Sequence, residues 1–165
     1  MQNRLVDLLY PDSGAEFSPC RIYRYTLWRF WNRTLPFAMF IGLNPSTADE
    51  TDNDPTVRRC IRFARDWGYG GLLMTNAFGI RATDPKVMLA HNEPNGEGND
   101  DWLRRVSEQA GVVVAAWGNH GAHRGRAREI RAMLGVDIHQ LGLTKSGEPK
   151  HPLYLRSDTK PELLT

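Results

Sequence analysis

The sequence has few of the features that define disulfide-rich, membrane-spanning or cluster-bearing proteins. Its 165 residues include only two cysteines, Cys20 and Cys60, too few for a disulfide framework or an iron–sulfur cluster with four thiolate ligands. No apolar run approaches the ~20 residues that cross a bilayer. The N-terminus also lacks the basic-then-apolar order of a secretory signal. We therefore expect a cytoplasmic protein that does not associate with membranes.

The best-known catalytic motifs and a strong charge imbalance are missing as well. The glycine stretches GYGG and WGNHG lack the Gly-x-x-x-x-Gly-Lys spacing of a phosphate loop, and no Gly-x-Ser-x-Gly nucleophile elbow occurs. The net charge of +2 permits a nucleic-acid partner without requiring one. The length predicts one domain over residues 1–165, with an N-terminal extension at 1–20 and a C-terminal tail at 156–165.

Short apolar runs alternate with helical patterns along the chain. PFAMFIGL, GLLMTNAF, GVVVAAWG and VDIHQLGL have the composition of strands buried on both faces. Asp54-Pro55 and Asp84-Pro85 are typical helix starts, and further helices are predicted near residues 100–109 and up to about Leu134. This alternation predicts an α/β protein with a mainly parallel sheet covered on both faces. RIYRYTLWRFW, residues 21–31, adds a strand or one arm of an edge hairpin.

A polar group follows each of the four predicted strands. Sheets of this kind bind their ligands beyond the carboxyl ends of the strands. Taken alone, an Asn-Pro or His-Pro pair is more often a turn than a site, so the hypothesis depends on all of them meeting at one sheet edge. The groups are Asn44-Pro45-Ser46-Thr47, then Asn76, then Trp117-Gly118-Asn119-His120, and finally His151.

Acidic residues after the first of these strands offer a different chemistry. Asp49, Glu50 and Asp52 could hold magnesium for metal-dependent cleavage of a phosphodiester. Asp54 is already explained as a helix cap, and the stretch lacks the glycine and distal glutamate of a calcium loop. A metal-dependent nuclease is therefore kept as an alternative, and no metal site is assigned.

Several phrases of the sequence resemble a bacterial family that is known only as a domain of unknown function. They are LNPSTAD, DPTVRRC, WGYGG, RATDP, AAWG and HPLYL, and the resemblance runs from about Tyr25 to Leu155. The order of motifs is also similar to the uracil-DNA glycosylase superfamily. The matching segments are Gly42-Leu43-Asn44-Pro45, the asparagine of LLMTNAFGIR, Trp117-Gly118 and His151-Pro152-Leu153.

The second resemblance implies a fold and an activity. The fold would be a three-layer α/β/α arrangement around a central, mainly parallel four-stranded sheet. The activity would be that of a monofunctional DNA glycosylase that uses no metal or other cofactor and hydrolyses the N-glycosidic bond of a flipped-out pyrimidine. Asn44 would orient the attacking water, and His151 would hydrogen-bond the departing base. Its partner would be single- or double-stranded DNA, and no obligate protein partner is inferred.

The resemblance also suggests which residues surround the substrate. Ser46 stands where the uracil-selective branch has a bulky tyrosine, so a mismatched, damaged or 5-modified base is expected. No stacking aromatic stands out among Phe63, Tyr69 and Phe78. The base-binding set is Gly42, Leu43, Pro45, Ser46, Asn76 and Phe78, and the DNA-backbone set is Thr47, Trp117, Gly118, Asn119, Pro152, Arg58 and Arg124.

Two further alternatives remain open at the level of sequence. Asn44 cannot accept a proton as a carboxylate would, and HPLYL lacks the serine of the related loops. A non-catalytic module that binds nucleic acid or a nucleotide is therefore the first alternative, because a fold does not guarantee an activity. The second keeps the same bond chemistry and acts on free nucleosides or nucleotides.

Overall fold

A seven-stranded mixed sheet forms the centre of the fold. The computed structural model describes residues 5–165. In spatial order the strands are β1 (Ser13–Phe17), β2 (Arg24–Phe30), β4 (Gly71–Asn76), β3 (Ala38–Gly42), β5 (Val112–Ala115), β6 (His139–Gln140) and β7 (Glu162–Leu163). The pairs β3–β4, β3–β5 and β5–β6 are parallel, whereas β1–β2, β2–β4 and β6–β7 are antiparallel.

The described residues also form five α-helices and two 3₁₀-helical segments. The α-helices are α1 (Leu5–Leu8), α2 (Pro55–Asp66), α3 (Pro85–Ala90), α4 (Asn99–Gln109) and α5 (Arg126–Met133), and the 3₁₀ segments are Asn119–Gly125 and Pro152–Tyr154. Helix α2 begins where the sequence predicts, because the Asp54 side chain accepts the Val57 N–H and Pro55 occupies the first turn. Asp84 caps α3 in the same way through the Lys86 N–H.

Each face of the sheet is covered by its own apolar cluster. Successive residues of β3 point to opposite faces, so Met39 and Ile41 pack in one cluster while Ala38 and Phe40 pack in the other. The first cluster includes buried residues of α4 and α5, and the second includes those of α2. Burial on both faces explains why these strands read as continuous apolar runs.

The α/β class predicted from sequence is confirmed, with more strands than expected. The segments that the sequence assigned to an extension and a tail contribute edge strands β1 and β7, and residues 1–4 of the extension lie outside the described part. The fourth predicted strand, VDIHQLGL, is reduced to two residues, and Gly142 with φ of 132° turns the chain soon after them. No helix within residues 5–165 is long and apolar enough to cross a membrane.

Candidate active site

A cavity of about 280 Å³ opens at the carboxyl ends of β3 and β4. The parallel register places Gly42 beside Asn76, so the loops that follow these two strands leave the sheet side by side. Backbone hydrogen bonds continue this pairing beyond the strands, from Ala77 N–H to Gly42 and from Phe78 N–H to Leu43. The polar side chains that line the cavity include Arg24, Asn44, Ser46, Asp54, Asn76 and His151.

Asn44 joins the two loops through its side-chain amide. Its Nδ2 donates to the carbonyl oxygens of Ala82 at 2.9 Å, Pro45 at 3.1 Å and Ile80 at 3.3 Å. Because all three neighbours are acceptors, the amide orientation is fixed with Nδ2 toward them. Among the described residues no donor reaches Oδ1 of Asn44, which leaves this oxygen as an acceptor for a ligand or water.

Asn76 presents a buried amide that has no protein partner. The residue is 2% exposed, and its Nδ2 has no hydrogen-bond acceptor within the described part of the chain. Its Oδ1 lies so close to Gly42 that a Cβ on residue 42 would approach it to 2.9 Å. Glycine at position 42 therefore makes room for the Asn76 side chain. A buried donor without an acceptor is costly in an empty protein, so Asn76 is poised for a ligand acceptor.

Two buried side chains, one from α4 and one from α5, hold the backbone around Asn76 through hydrogen bonds. Asn99 on α4 donates Nδ2 to the carbonyl oxygens of Asn76 at 3.0 Å and Ala77 at 3.2 Å. Arg126 on α5 donates Nε to the same Ala77 carbonyl at 2.7 Å. Both side chains are buried. These contacts fix the end of β4 and hence the position of the Asn76 amide, a support that the sequence did not reveal.

His151 reaches the cavity from the last loop of the protein. Its Nδ1 accepts the N–H of Leu153 at 3.3 Å, which leaves the proton of the neutral ring on Nε2. Although much of the residue remains exposed, burial lowers the pKa of His151 below 6.5, and the negative charge of Asp54 partly opposes this change. At neutral pH the ring is therefore uncharged and carries one N–H that can donate to a ligand.

A short hairpin before His151 is anchored to the end of β5. Gly118 N–H donates to the Pro149 carbonyl at 2.8 Å. The Trp117 indole Nε1 donates to Glu148 at 2.8 Å, and Thr144 donates to the Asn119 side chain at 2.6 Å. The Trp-Gly-Asn segment thus supports the loop that carries His151. Trp117 is only 2% exposed, so its ring does not present a surface for the predicted contact with a DNA backbone.

Asp54 both caps a helix and lines the cavity, and the sequence did not suggest the second of these. As predicted, it caps α2, with Oδ1 accepting the Val57 N–H at 2.9 Å, and Oδ2 accepts the Ala48 N–H at 3.4 Å. Its carboxylate also lines the cavity. Sequence reasoning treated the cap as a sufficient explanation, although a cap at the mouth of a strand-end cavity places a charge beside the ligand.

Arg24 is a further charged residue of the cavity that sequence reasoning missed. It lies on β2, in a segment whose aromatic and β-branched residues indicate a strand and give no sign of a site. Its backbone N–H donates to the Gly79 carbonyl at 2.9 Å, next to the end of β4. Its side chain is 2% exposed and lines the same cavity as Asn76. Only the long-range pairing of β2 with β4 brings it there.

Other predicted site residues lie outside this cavity. Phe78 is fully buried and packs against His123 in the core, so its ring offers no free face for a base. Pro152 is buried and Thr47 is exposed. Arg58 is exposed and holds the Asn53 carbonyl. The remaining predicted residue, Arg124, is exposed and donates to the carbonyl oxygens of Asn92 and His91.

The two other aromatic candidates do not reach the cavity either. Phe63 stacks on Trp67 in the apolar cluster under α2. Tyr69 packs near Gly111, where β5 begins. No Phe, Tyr or Trp of the described residues lines the cavity, and its apolar wall includes Pro45, Met74 and Leu153. A base in this cavity would therefore contact aliphatic side chains.

In the acidic loop, residues 49–53, the carboxylates of Asp49 and Glu50 already have partners in the protein. Asp49 Oδ1 accepts the backbone N–H groups of Thr51 at 3.0 Å and Asp52 at 2.8 Å, and these hydrogen bonds lower the pKa of Asp49. Glu50 forms an exposed ion pair with Arg21 at 2.7 Å. Within residues 5–165, no group of three or more His, Cys, Asp or Glu is arranged to hold a metal ion.

A larger cavity, of about 670 Å³, lies elsewhere, beside α5 and the hairpin, with Trp117, Arg128 and Glu148 on its wall. No residue with an unpartnered buried polar atom in the described part of the chain lines it, whereas two such residues, Asn76 and Arg24, line the smaller cavity. Unmet hydrogen-bonding groups are a better sign of a specific ligand than volume. We therefore take the smaller cavity as the candidate active site.

The fold and the cavity define a mixed α/β protein with a small polar site at the strand ends. Residues 24–153 match the family described as "Protein of unknown function (DUF1643)", and the chain belongs to this family. No curated protein and no solved structure matches the chain. The first resemblance described from sequence is thus confirmed, while the relationship to uracil-DNA glycosylases stays a prediction.

Proposed function

We propose that the protein is a glycosylase that hydrolyses the N-glycosidic bond of a mismatched, damaged or 5-modified pyrimidine flipped out of DNA. The observation that carries this proposal is the convergence of Asn44, Asn76 and His151, from three separate segments of the chain, on one cavity. The parallel pairing of β4, β3, β5 and β6 supports a uracil-DNA-glycosylase-like arrangement. A volume of about 280 Å³ suits one flipped nucleotide better than a larger ligand.

In the proposed reaction the base leaves as an anion while positive charge develops on the sugar. His151 donates its Nε2–H to an oxygen of the departing base, and the uncharged ring gains this contact as the oxygen becomes negative. Asn76 donates its unpartnered Nδ2–H to an acceptor on the base edge. Asn44 holds the attacking water through Oδ1, while its Nδ2 stays anchored to the loop carbonyls. The water proton then leaves to solvent or to the nearby Asp54 carboxylate.

A binding module of the same fold is the second candidate. The observation that favours it is the anchoring of Asn44 to three carbonyl oxygens. An amide in this position supports the loops whether or not a water molecule attacks the ligand. This candidate predicts salt-sensitive binding of nucleic acid or a nucleotide without a product. Ligand binding by wild type without base release would favour it.

The test measures base release from labelled oligonucleotides in EDTA. The substrates carry uracil, a G·T mismatch, a 5-hydroxymethyl base or a glucosylated base, and hot alkali reveals abasic sites. We expect alkali-dependent cleavage by wild type, retained in EDTA and lost in Asn44→Ala and His151→Ala. His120→Ala, an exposed histidine outside the cavity, is the matched control. Cleavage without alkali that EDTA abolishes would instead identify a metal-dependent nuclease.

Ser46 offers a test of substrate range. It is half-buried and lines the cavity, so a larger side chain there would occupy space near the ligand. We expect Ser46→Tyr to retain release of unsubstituted bases and to lose release of 5-substituted ones by about 10-fold or more, in line with steric discrimination in other enzymes. The ratio of kcat/KM for the two substrates measures this. An unchanged ratio would refute the role given to Ser46.

A further inference from the structure

Three arginine side chains are buried within residues 5–165, and two of them are satisfied by the protein itself. Arg126 pairs with the carboxylates of Asp100 and Glu129 and also donates to the Ala77 carbonyl. Arg29 donates five hydrogen bonds to strands β1 and β2 and to the acidic loop. The acceptors belong to Gly14, Trp28, Asp49, Asp52 and Asn53. Both guanidinium groups therefore have a structural explanation.

Arg24 differs from these two arginines. Its side chain makes a single hydrogen bond to the described residues, from Nη1 to the Ala48 carbonyl at 2.9 Å, and its buried Nε has no partner. It takes part in no ion pair with a described carboxylate. Burial lowers the pKa of Arg24 to about 10, so the group still carries its charge at neutral pH. A buried cation without a direct counter-charge is unusual unless a ligand provides one.

The surroundings of Arg24 supply further donors rather than acceptors. Asn76 on the neighbouring strand lines the same cavity, with its buried Nδ2 also unpartnered. The Asp54 carboxylate raises the pKa of Arg24 from nearby, but both of its oxygens accept backbone N–H groups. Arg81 and Arg29 add positive charge in the neighbourhood, and Asp49 adds a negative charge that lies outside the cavity lining. This part of the cavity therefore favours a ligand group that is negatively charged and rich in acceptors.

We propose that the ligand of this cavity carries an oxyanion and that Arg24 is the residue that recognises it. The proposal rests on the proposed function, because it names the substrate class of the same site. Two sources share this chemistry: an acidic substituent on the pyrimidine ring, such as a 5-carboxylate, and the phosphate of a free nucleotide. Either would place two acceptor oxygens within reach of a planar guanidinium, which binds such groups bidentately.

The test compares three probes by calorimetry in a phosphate-free buffer. They are 5-carboxy-2′-deoxyuridine, 2′-deoxyuridine 5′-monophosphate and neutral 2′-deoxyuridine. We expect at least one anionic probe to bind wild type more tightly than the neutral one, and the better anionic probe identifies the source. Arg24→Met should weaken that probe about 10- to 100-fold, as expected for a hydrogen-bonded charge. Affinity for 2′-deoxyuridine should change little.

Two further variants guard against trivial explanations. Arg24→Lys keeps a charge without the planar fork and should recover part of the affinity. Arg62→Met removes an exposed charge from α2 outside the cavity and should leave affinity unchanged. Circular dichroism confirms that each variant is folded. Equal affinity of wild type for neutral and anionic probes, or no binding of either anionic probe, would overturn the proposal.

The outcome is separable from that of the proposed glycosylase. Base release that shows no preference for an acidic substituent, with no binding of either anionic probe, would leave the glycosylase standing and remove the anion site. Arg24-dependent binding of an anionic probe without any base release would support the anion site and refute the glycosylase. Parallel chromatography for free base in the calorimetry samples provides the second readout.

Discussion

Replacing Arg24 with methionine is expected to stabilise the ligand-free protein. Burial lowers the pKa of Arg24 to about 10, more than two pH units below the ordinary value of an arginine. Since a tenfold change in an equilibrium constant is about 1.4 kcal/mol, the folded protein disfavours the charged guanidinium by roughly 3 kcal/mol. The folded-state pKa lies below the unfolded-state value, so this penalty applies in full at pH 7 and disappears only as the pH rises from about 10 through the unfolded-state pKa.

The substitution also removes one favourable contact. Loss of the bond from Nη1 to the Ala48 carbonyl, including the buried oxygen left behind, costs about 1–2 kcal/mol. The unbranched methionine refills most of the volume. The balance is a gain of about 1–2 kcal/mol in the free energy of unfolding, or a rise of about 3–6 °C in Tm for a domain of this size.

Urea unfolding at pH 7, followed by circular dichroism, measures this change. The matched comparison is Arg126→Met, which strips an equally buried guanidinium from Asp100 and Glu129. Those carboxylates are partly exposed and regain water, so we expect a loss of about 2 kcal/mol rather than the larger cost of a fully buried pair. If Arg24→Met loses as much stability as Arg126→Met, the charge of Arg24 is balanced within the fold and our reasoning is refuted.

Two further predictions concern Asn76 and His151. Gly42→Ala forces a Cβ to 2.9 Å from the Asn76 amide and should cost about 1 kcal/mol in urea unfolding and reduce base release, whereas Gly135→Ala meets nothing within 4 Å and should change neither. Asp54→Asn should keep the helix cap yet lower the pKa of His151 further in an NMR titration, because a nearby negative charge is lost. A raised pKa of His151 would contradict this.

The meeting of Asn44, Asn76 and His151 could be predicted from sequence. Asn44 and Asn76 each follow an apolar run with the pattern of a strand buried on both faces. Parallel pairing brings the carboxyl ends of such strands to one edge. A polar residue directly after such a buried strand is therefore expected at this edge of the sheet. The family match over residues 24–153 agrees with the extent read from the motifs.

Features that depend on long-range contacts could not be predicted in the same way. Edge strands β1 and β7 lack the apolar pattern of central strands because β1 is only partly buried and both residues of β7 are exposed. Arg24 looks like any arginine of a strand until β2 pairs with β4 and buries it under Ala48. Phe78 follows the Asn76 strand closely enough to suggest a stacking role, yet the chain turns it into the core.

The distribution of hydrogen-bonding groups in the cavity indicates how a reaction there would gain its rate. Unused donors belong to Arg24 and Asn76, and the His151 ring adds another. On the loop after β3, Asn44 offers an acceptor that is an amide oxygen and cannot take a proton. Such a site would assist the departure of a negative group far more than it would activate water. An acidic substituent held by Arg24 would strengthen binding in the ground state as well, so Arg24→Met should raise KM more than it lowers kcat, while His151→Ala should lower kcat. Equal effects of both variants on kcat would mean that Arg24 acts on the departing group itself.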